Sequence, residues 1–343
     1  MKERGHTIYL YAHERSDADC DVLIPVTNDQ VLYETYGEYD WQKNQFVHNI
    51  NDNAQRTFNK NAIVEISKHK QPGDLLLCFW GFGHEEISKA HSDLIPVEPG
   101  IGYHTGLFAP YRIFESYSVL HIAYEKMKWG NPSWTDAVIP NYFDPNDFEY
   151  REEKDDYFLY LGRIVETKGI QVAVTAAKKA GVKLLVAGQG DYEKTFGTPP
   201  PNVEFVGYAD VEKRKQLLAG AKALYVPSYY AEPFGGVMIE ALFSGTPVIT
   251  SDWACFAENN LHGITGYRCR TMEQFVWATR NINKISPKAC REWAMNNFSL
   301  EVVAKMYEEY FDNLVRMKQN GGWYSEYDER ENLDWLVRHY PTC

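Results

Sequence analysis

Two carboxylates, Glu232 and Glu240, stand at the ends of the stretch Glu232-Pro233-Phe234-Gly235-Gly236-Val237-Met238-Ile239-Glu240. The pattern predicts a helix from about Gly235 to Phe243, entered at Pro233 and stopped by Gly245 and Pro247. Two glycines in a first helical turn cost about 1 kcal/mol each against alanine, which calls for a reason such as close approach of a ligand to the backbone. Such an N-terminus offers unpaired NH groups and the positive end of the helix dipole, which together suit a phosphate or diphosphate. Glu240 follows Gly236 by four residues, on the same face one turn deeper, where it can accept two hydrogen bonds from a diol such as a nucleotide ribose. Glu232, in the loop before the helix, is expected on the other side of the phosphate, toward a transferred group.

A second charged loop follows the apolar run Tyr157 to Leu161: Gly162-Arg163-Ile164-Val165-Glu166-Thr167-Lys168-Gly169. Cations at a helix start oppose its dipole unless an anion joins them, so Arg163 and Lys168 also point to an anionic ligand. Gly188-Gln189-Gly190 ends the strand Lys183 to Ala187 but is no dinucleotide fingerprint, because Glu193 replaces the third glycine. His84-Glu85 with His91 lacks metalloprotease spacing, since Ser88 stands where the second histidine belongs. No metal site is expected. Asp17-Ala18-Asp19 reads as a polar turn before the strand around Val22 to Ile24.

The Glu-Pro-Phe-Gly core, the later Glu-Ala and the turn Gly245-Thr246-Pro247-Val248-Ile249 together resemble the glutamate, seven residues, glutamate signature of retaining glycosyltransferases of family 4, within the GT-B group that uses nucleotide sugars. Gly162-Arg163 with Lys168-Gly169 is similar to that family's diphosphate-holding cations, and Ile139-Pro140-Asn141 to the stretch that leaves its first domain. The resemblance implies catalytic roles for Glu232, Arg163 and Lys168, with Glu232 on the sugar hydroxyls and Glu240 on the ribose. It implies a donor site completed by Gly162, Gly188, Phe234, Gly235, Gly236 and Val237, with Tyr208 flanking the base at the end of Val203 to Gly207. Family members carry an acceptor-side histidine after a strand of the first domain; here the candidates are Glu98, His104 and His121. The family also has a first strand, a glycine-rich loop and a helix ahead of the segment that starts here at Lys2, so either the chain starts late relative to the family or its first domain lacks that strand and part of the wall facing the donor.

The elements that must position these residues alternate strand and helix through both halves, which predicts an α/β chain of two Rossmann-like domains facing each other across a cleft. Residues 1–148 would form the acceptor domain, 149–320 the nucleotide-sugar donor domain, and 321–343 a tail crossing back. Asn53 to Lys70 reads as a helix with Phe58, Ala62, Ile63 and Ile66 inward and Arg56, Lys60, Lys68 and Lys70 outward. It covers a sheet, or attaches the protein peripherally to a membrane. At 343 residues, with 44% hydrophobic and 15% aromatic residues, the chain can bury two cores. The net charge of -12 argues against nucleic acid as a partner. Six scattered cysteines without a Cys-x-x-Cys pair fit reduced thiols in a cytoplasm, and no apolar run is long enough to span a membrane. The expected function is transfer of a sugar, with retention, from a UDP- or GDP-sugar to a glycan, lipid or small-molecule acceptor, without a cofactor besides that co-substrate. A nucleotide-sugar epimerase of the same fold, or a sugar-nucleotide-binding protein without turnover, is the alternative.

Overall fold

A computed structural model describes residues 1–39 and 49–319, and the tail from 321 lies outside them. The chain divides into two compact units. Among the described residues, the first holds Met1–Phe114, Ala123–Ala137 and 304–319; the second holds Glu115–Ile122 and Val138–Val303.

In the first unit, strands β1 (Tyr9–His13) and β2 (Val22–Thr27) pair in parallel. Helices α1 (Asp29–Tyr36) and α2 (Asn53–His69) follow, then β3 (Leu75–Leu77), α3 (Glu85–Ala90), β4 (Ile95–Ile101), β5 (Tyr111–Phe114), α4 (Tyr117–Met127) and β6 (Ala137–Val138). Strands β3 to β6 form a second sheet in sequence order. The expected apolar face of α2 is the one buried: Ala62 and Ile66 pack with Ile24, Val26, Ile87 and Leu94, with Phe58 and Ile63 at the margin. Arg56, Lys60 and Lys68 face solvent, whereas Lys70 is half-buried and paired with Asp93. That packing leaves the apolar face of α2 no room to lie on a membrane.

In this unit β3 stops at Leu77, because Gly81–His84 forms a 3-10 turn whose Gly81 has φ 53°. Strand β1 begins at Tyr9, after a turn over Lys2–Arg4 closed by Gly5 at φ 91°. Strand β4 runs on to Ile101, which puts Glu98, expected after a strand, inside β4.

The second unit contains β7 (Phe158–Leu161), α5 (Ile170–Ala180), β8 (Leu184–Ala187), α6 (Tyr192–Phe196), β9 (Val203–Gly207), α7 (Val211–Gly220), β10 (Leu224–Val226), α8 (Gly236–Phe243), β11 (Val248–Ser251), α9 (Cys255–Asn259) and β12 (Gly266–Cys269). Helices α10 (Met272–Asn281), α11 (Pro287–Phe298) and α12 (Leu300–Gln319) complete the described chain. Six parallel strands lie in the order β12-β11-β10-β7-β8-β9. Leu159, Leu184, Val186, Leu224, Val248 and Ile249 are fully buried, which is why these strands read as continuous apolar runs and not as alternation. Strand order reverses between β7 and β10, and a crevice outside the carboxyl ends of the strands at such a point is where open parallel sheets bind ligands.

Candidate active site

At that switch point a cavity of about 360 Å³ opens in the second unit, lined among others by Gly162, Arg163, Lys168, Gly188, Tyr208, Glu232, Gly235, Gly236 and Val237. The structure therefore brings together nine of the expected donor-site residues from four separate loops.

Backbone geometry explains why glycines stand there. Gly188 has φ 149°, and a Cβ on it would come within 1.8 Å of the Gly162 carbonyl oxygen. Gly169 has φ 72°, and a Cβ there would lie 1.9 Å from the Pro227 oxygen. The loops after β7, β8 and β10 thus touch backbone to backbone. The Thr167 carbonyl accepts from Tyr229 N (2.9 Å), Tyr230 N (3.2 Å) and Ser228 Oγ (3.2 Å), which joins the lysine loop to the glutamate loop.

The helix begins one residue later than expected. Gly236 is its first residue and Gly235 is the N-cap in the left-handed region, φ 78° and ψ 46°, so one of the two glycines is required by conformation. A Cβ at Gly235 would also meet Phe256 at 3.0 Å. The first amides of α8 have no partner inside the helix and face the cavity with the positive end of its dipole.

Lys168 Nζ donates to both Glu232 oxygens, at 2.6 and 2.7 Å, and lies 5.3 Å from the centre of the Tyr230 ring. Ser228 Oγ adds a third bond to Glu232, at 3.2 Å. Arg163 is exposed, its guanidinium has no hydrogen-bonded partner among the described residues, and its carbonyl accepts from the Tyr160 hydroxyl at 2.9 Å. The lysine is held and the arginine is available.

Glu240 lies on α8, its side chain 12% exposed, and takes the Nε of Arg214 on α7 at 2.5 Å together with the Nη2. Burial holds the Glu240 carboxyl above its ordinary value, and the charge of Arg214 opposes that rise. Arg214 also lines the cavity and was not expected from the sequence. A signal for it existed in the apolar Leu218, four residues on and so on the same helix face. Glu115, between β5 and α4, is a further acidic group of this unit. Burial and the nearby charge of Glu232 push its carboxyl up to about 6, against a hydrogen bond with Asn141.

The Phe234 side chain does not line the cavity. It is 3% exposed, stacks on Phe143 at 6.4 Å between centroids and meets Phe298 edge-on at 5.7 Å, so its ring packs beneath the start of α8. The acceptor-side candidates also separate. Glu98 is fully buried, and its carboxylate accepts from the amides of Phe108 (2.9 Å) and Ala109 (2.8 Å) and from the Tyr103 hydroxyl (3.0 Å), which leaves it a structural role within the first unit. His104 is half-buried in the same unit, with Nε2 unpartnered among the described residues, and burial lowers its pKa. His121 is exposed on the part of α4 that belongs to the second unit, 6.2 Å from the Tyr117 ring.

Residues 143–297, which carry every donor-site residue, match the family model of glycosyl transferases group 1. The solved structure of AviGT4, a glycosyltransferase involved in avilamycin A biosynthesis, superposes with a TM-score of 0.63 at 18% identity, covering 92% of this chain and 86% of that one. The fold is GT-B. HepE from Anabaena, solved with UDP and glucose, is a second GT-B neighbour, with a TM-score of 0.59 at 17% identity over 74% of this chain and 81% of its own. An uncharacterised glycosyltransferase of Methanocaldococcus jannaschii is 28% identical over 182 residues, 49% of this chain and 45% of that relative. The chain thus spans about half the length of the curated relatives it matches. Among the described residues no helix is long and apolar enough to cross a membrane.

Proposed function

We propose that this GT-B protein is a retaining glycosyltransferase that moves a sugar from a nucleoside diphosphate sugar to a hydroxyl of a glycan, lipid or small-molecule acceptor. The observation that carries the proposal is the convergence of Arg163, Lys168 and the amino end of α8 on one cavity beside Glu232. In such a transfer the bond from the anomeric carbon to the diphosphate oxygen breaks, the bond to the acceptor oxygen forms, and the acceptor proton leaves with the departing diphosphate. Stabilising charge on the departing oxygens is the main demand, and fixed cations and backbone NH groups meet it without reorganisation. Lys168 would exchange part of its hold on Glu232 for the diphosphate, which frees carboxylate oxygens for sugar hydroxyls. Glu240 would take the ribose diol beside Arg214. The match to glycosyl transferases group 1 and the UDP and glucose recorded for HepE support a UDP- or GDP-sugar as donor.

Two full positive charges and a helix terminus make a divalent cation redundant, so transfer is expected to survive EDTA. The test is a thermal-shift screen with UDP, GDP and ADP sugars, followed by donor turnover with and without EDTA. A nucleotide at a hundred times its Kd stabilises by about 2.7 kcal/mol. A screen without any stabilising nucleotide would sink the donor site. Turnover abolished by EDTA and restored by Mn²⁺ would sink the metal-free mechanism.

A further inference from the structure

We infer that Arg214 reads the base of the donor nucleotide and selects for two adjacent in-plane acceptors, as guanine carries in O6 and N7. The inference rests on the donor-site reading above and concerns the end of the cavity away from Lys168. A guanidinium has two hydrogen-bonding edges. Glu240 occupies the side edge of Arg214 through Nε and Nη2, which fixes the plane of the group and keeps its charge in place. The far edge, one N–H of Nη1 beside the second N–H of Nη2, carries no further hydrogen bond among the described residues. The side chain is 39% exposed and lines the cavity with Tyr208 and Ala209. Two parallel donors fit two adjacent acceptors in one plane. Guanine has that pair in O6 and N7, whereas adenine pairs its N7 with an amino donor. Uracil has a donor between its two carbonyls, whereas cytosine, like guanine, sets two acceptors side by side, its N3 and O2. Tyr208, half-exposed in the same lining, offers a ring face for the base.

The position also couples the base to the ribose. Glu240 is the carboxylate expected on the diol, and the same Arg214 that orients it presents its remaining donors to the base. A bidentate contact of this kind discriminates between bases by about five- to 150-fold.

Titration calorimetry with GDP, IDP, UDP and ADP tests this on the wild-type chain and on Arg214→Leu and Arg214→Lys, each variant first checked for native circular dichroism. IDP keeps O6 and N7 but lacks the 2-amino group, and CDP, titrated beside the four, shows whether the pair that is read is O6 and N7 or the N3 and O2 of cytosine. The expected result is that wild type binds GDP and IDP at least five times more tightly than UDP and ADP, and that both variants lose that ratio. Equal affinity for all four in the wild type overturns the inference. So does a uniform loss in the variants with the ratio unchanged, since Arg214 would then only orient Glu240. Should the wild type bind none of them, the donor site itself falls, and the inference with it.

Discussion

Lys168 and Glu232 neutralise one another in a part of the cavity where a diphosphate is expected, so each residue's removal exposes the other. Lys168→Ala should weaken nucleoside diphosphate binding by about 1.5 to 3 kcal/mol, the range for hydrogen bonds to charged groups, because it both removes a cation and leaves a bare carboxylate facing the ligand. The double variant Lys168→Ala with Glu232→Gln should then bind more tightly than Lys168→Ala alone. Calorimetry on the wild type, the two single variants and the double variant checks the cycle, and a double variant as weak as the sum of the two singles would show that the residues act apart. Glu115 gives a prediction in pH. Its folded pKa of about 6 exceeds the ordinary value of 4.5, so its contribution to stability is fully present below pH 4.5 and is lost as pH rises through 6. Glu115→Gln should therefore be more stable than wild type at pH 7.5 by about 2 kcal/mol and lose that advantage by pH 4. Urea unfolding at the two pH values measures it, and a constant difference would contradict the assignment.

Helices α7 and α8 hold Arg214 and Glu240, and their carboxyl ends are tied by one buried ammonium. Lys154 Nζ donates to the carbonyls of Ala219 (2.9 Å) and Ser244 (3.0 Å) and to Thr246 Oγ1 (2.9 Å), where the negative ends of both helix dipoles meet. Burial lowers its pKa from 10.5 to about 8. The unfolded chain then holds that proton more firmly, so the residue's contribution to stability grows as pH rises from about 8 to 10.5. Lys154→Met strands three acceptors and should cost about 1 to 3 kcal/mol at pH 7. Its deficit should widen toward pH 10, and chemical denaturation at both pH values would expose a deficit that stays flat. None of this was legible in the sequence, where Lys154 sits in the charged run Glu149 to Asp156 and reads as linker. What was legible is the set of elements whose turn chemistry is local. Gly162, Gly169, Gly188 and Gly235 mark tight loops beyond apolar runs, and the α2 face follows from the 3.6-residue period. The surroundings of Glu98 and Phe234 were not legible because they depend on partners away in sequence: the amides of Phe108 and Ala109 in one case, the rings of Phe143 and Phe298 in the other.

For the molecule as a whole, the two units differ in how strongly their sequence declares them. The second has one sheet of six parallel strands, all but the edge strand β9 largely buried, each ended by a glycine, proline or polar turn. The first divides its hydrogen bonding between the β1–β2 pair and the β3 to β6 sheet, and its half-buried strands, with Tyr9 42% exposed, give a weaker pattern. In the second unit, the contact of Gly188 with the Gly162 carbonyl has a kinetic consequence. Gly162 N donates to Ala187 O (3.0 Å), Ile164 N to Gln189 O (2.8 Å) and Gly188 N to Gly207 O (3.0 Å), so the loops after β7, β8 and β9 are threaded by one short ladder of amides. With the backbones in van der Waals contact, no one of these bonds can open to solvent unless its neighbours part as well. Hydrogen–deuterium exchange should therefore give Gly162, Ile164 and Gly188 a common opening free energy, and a saturating nucleotide should slow all three by the same factor. Three unrelated rates would mean that the loops breathe separately, and that the cavity has no fixed width until its ligand arrives.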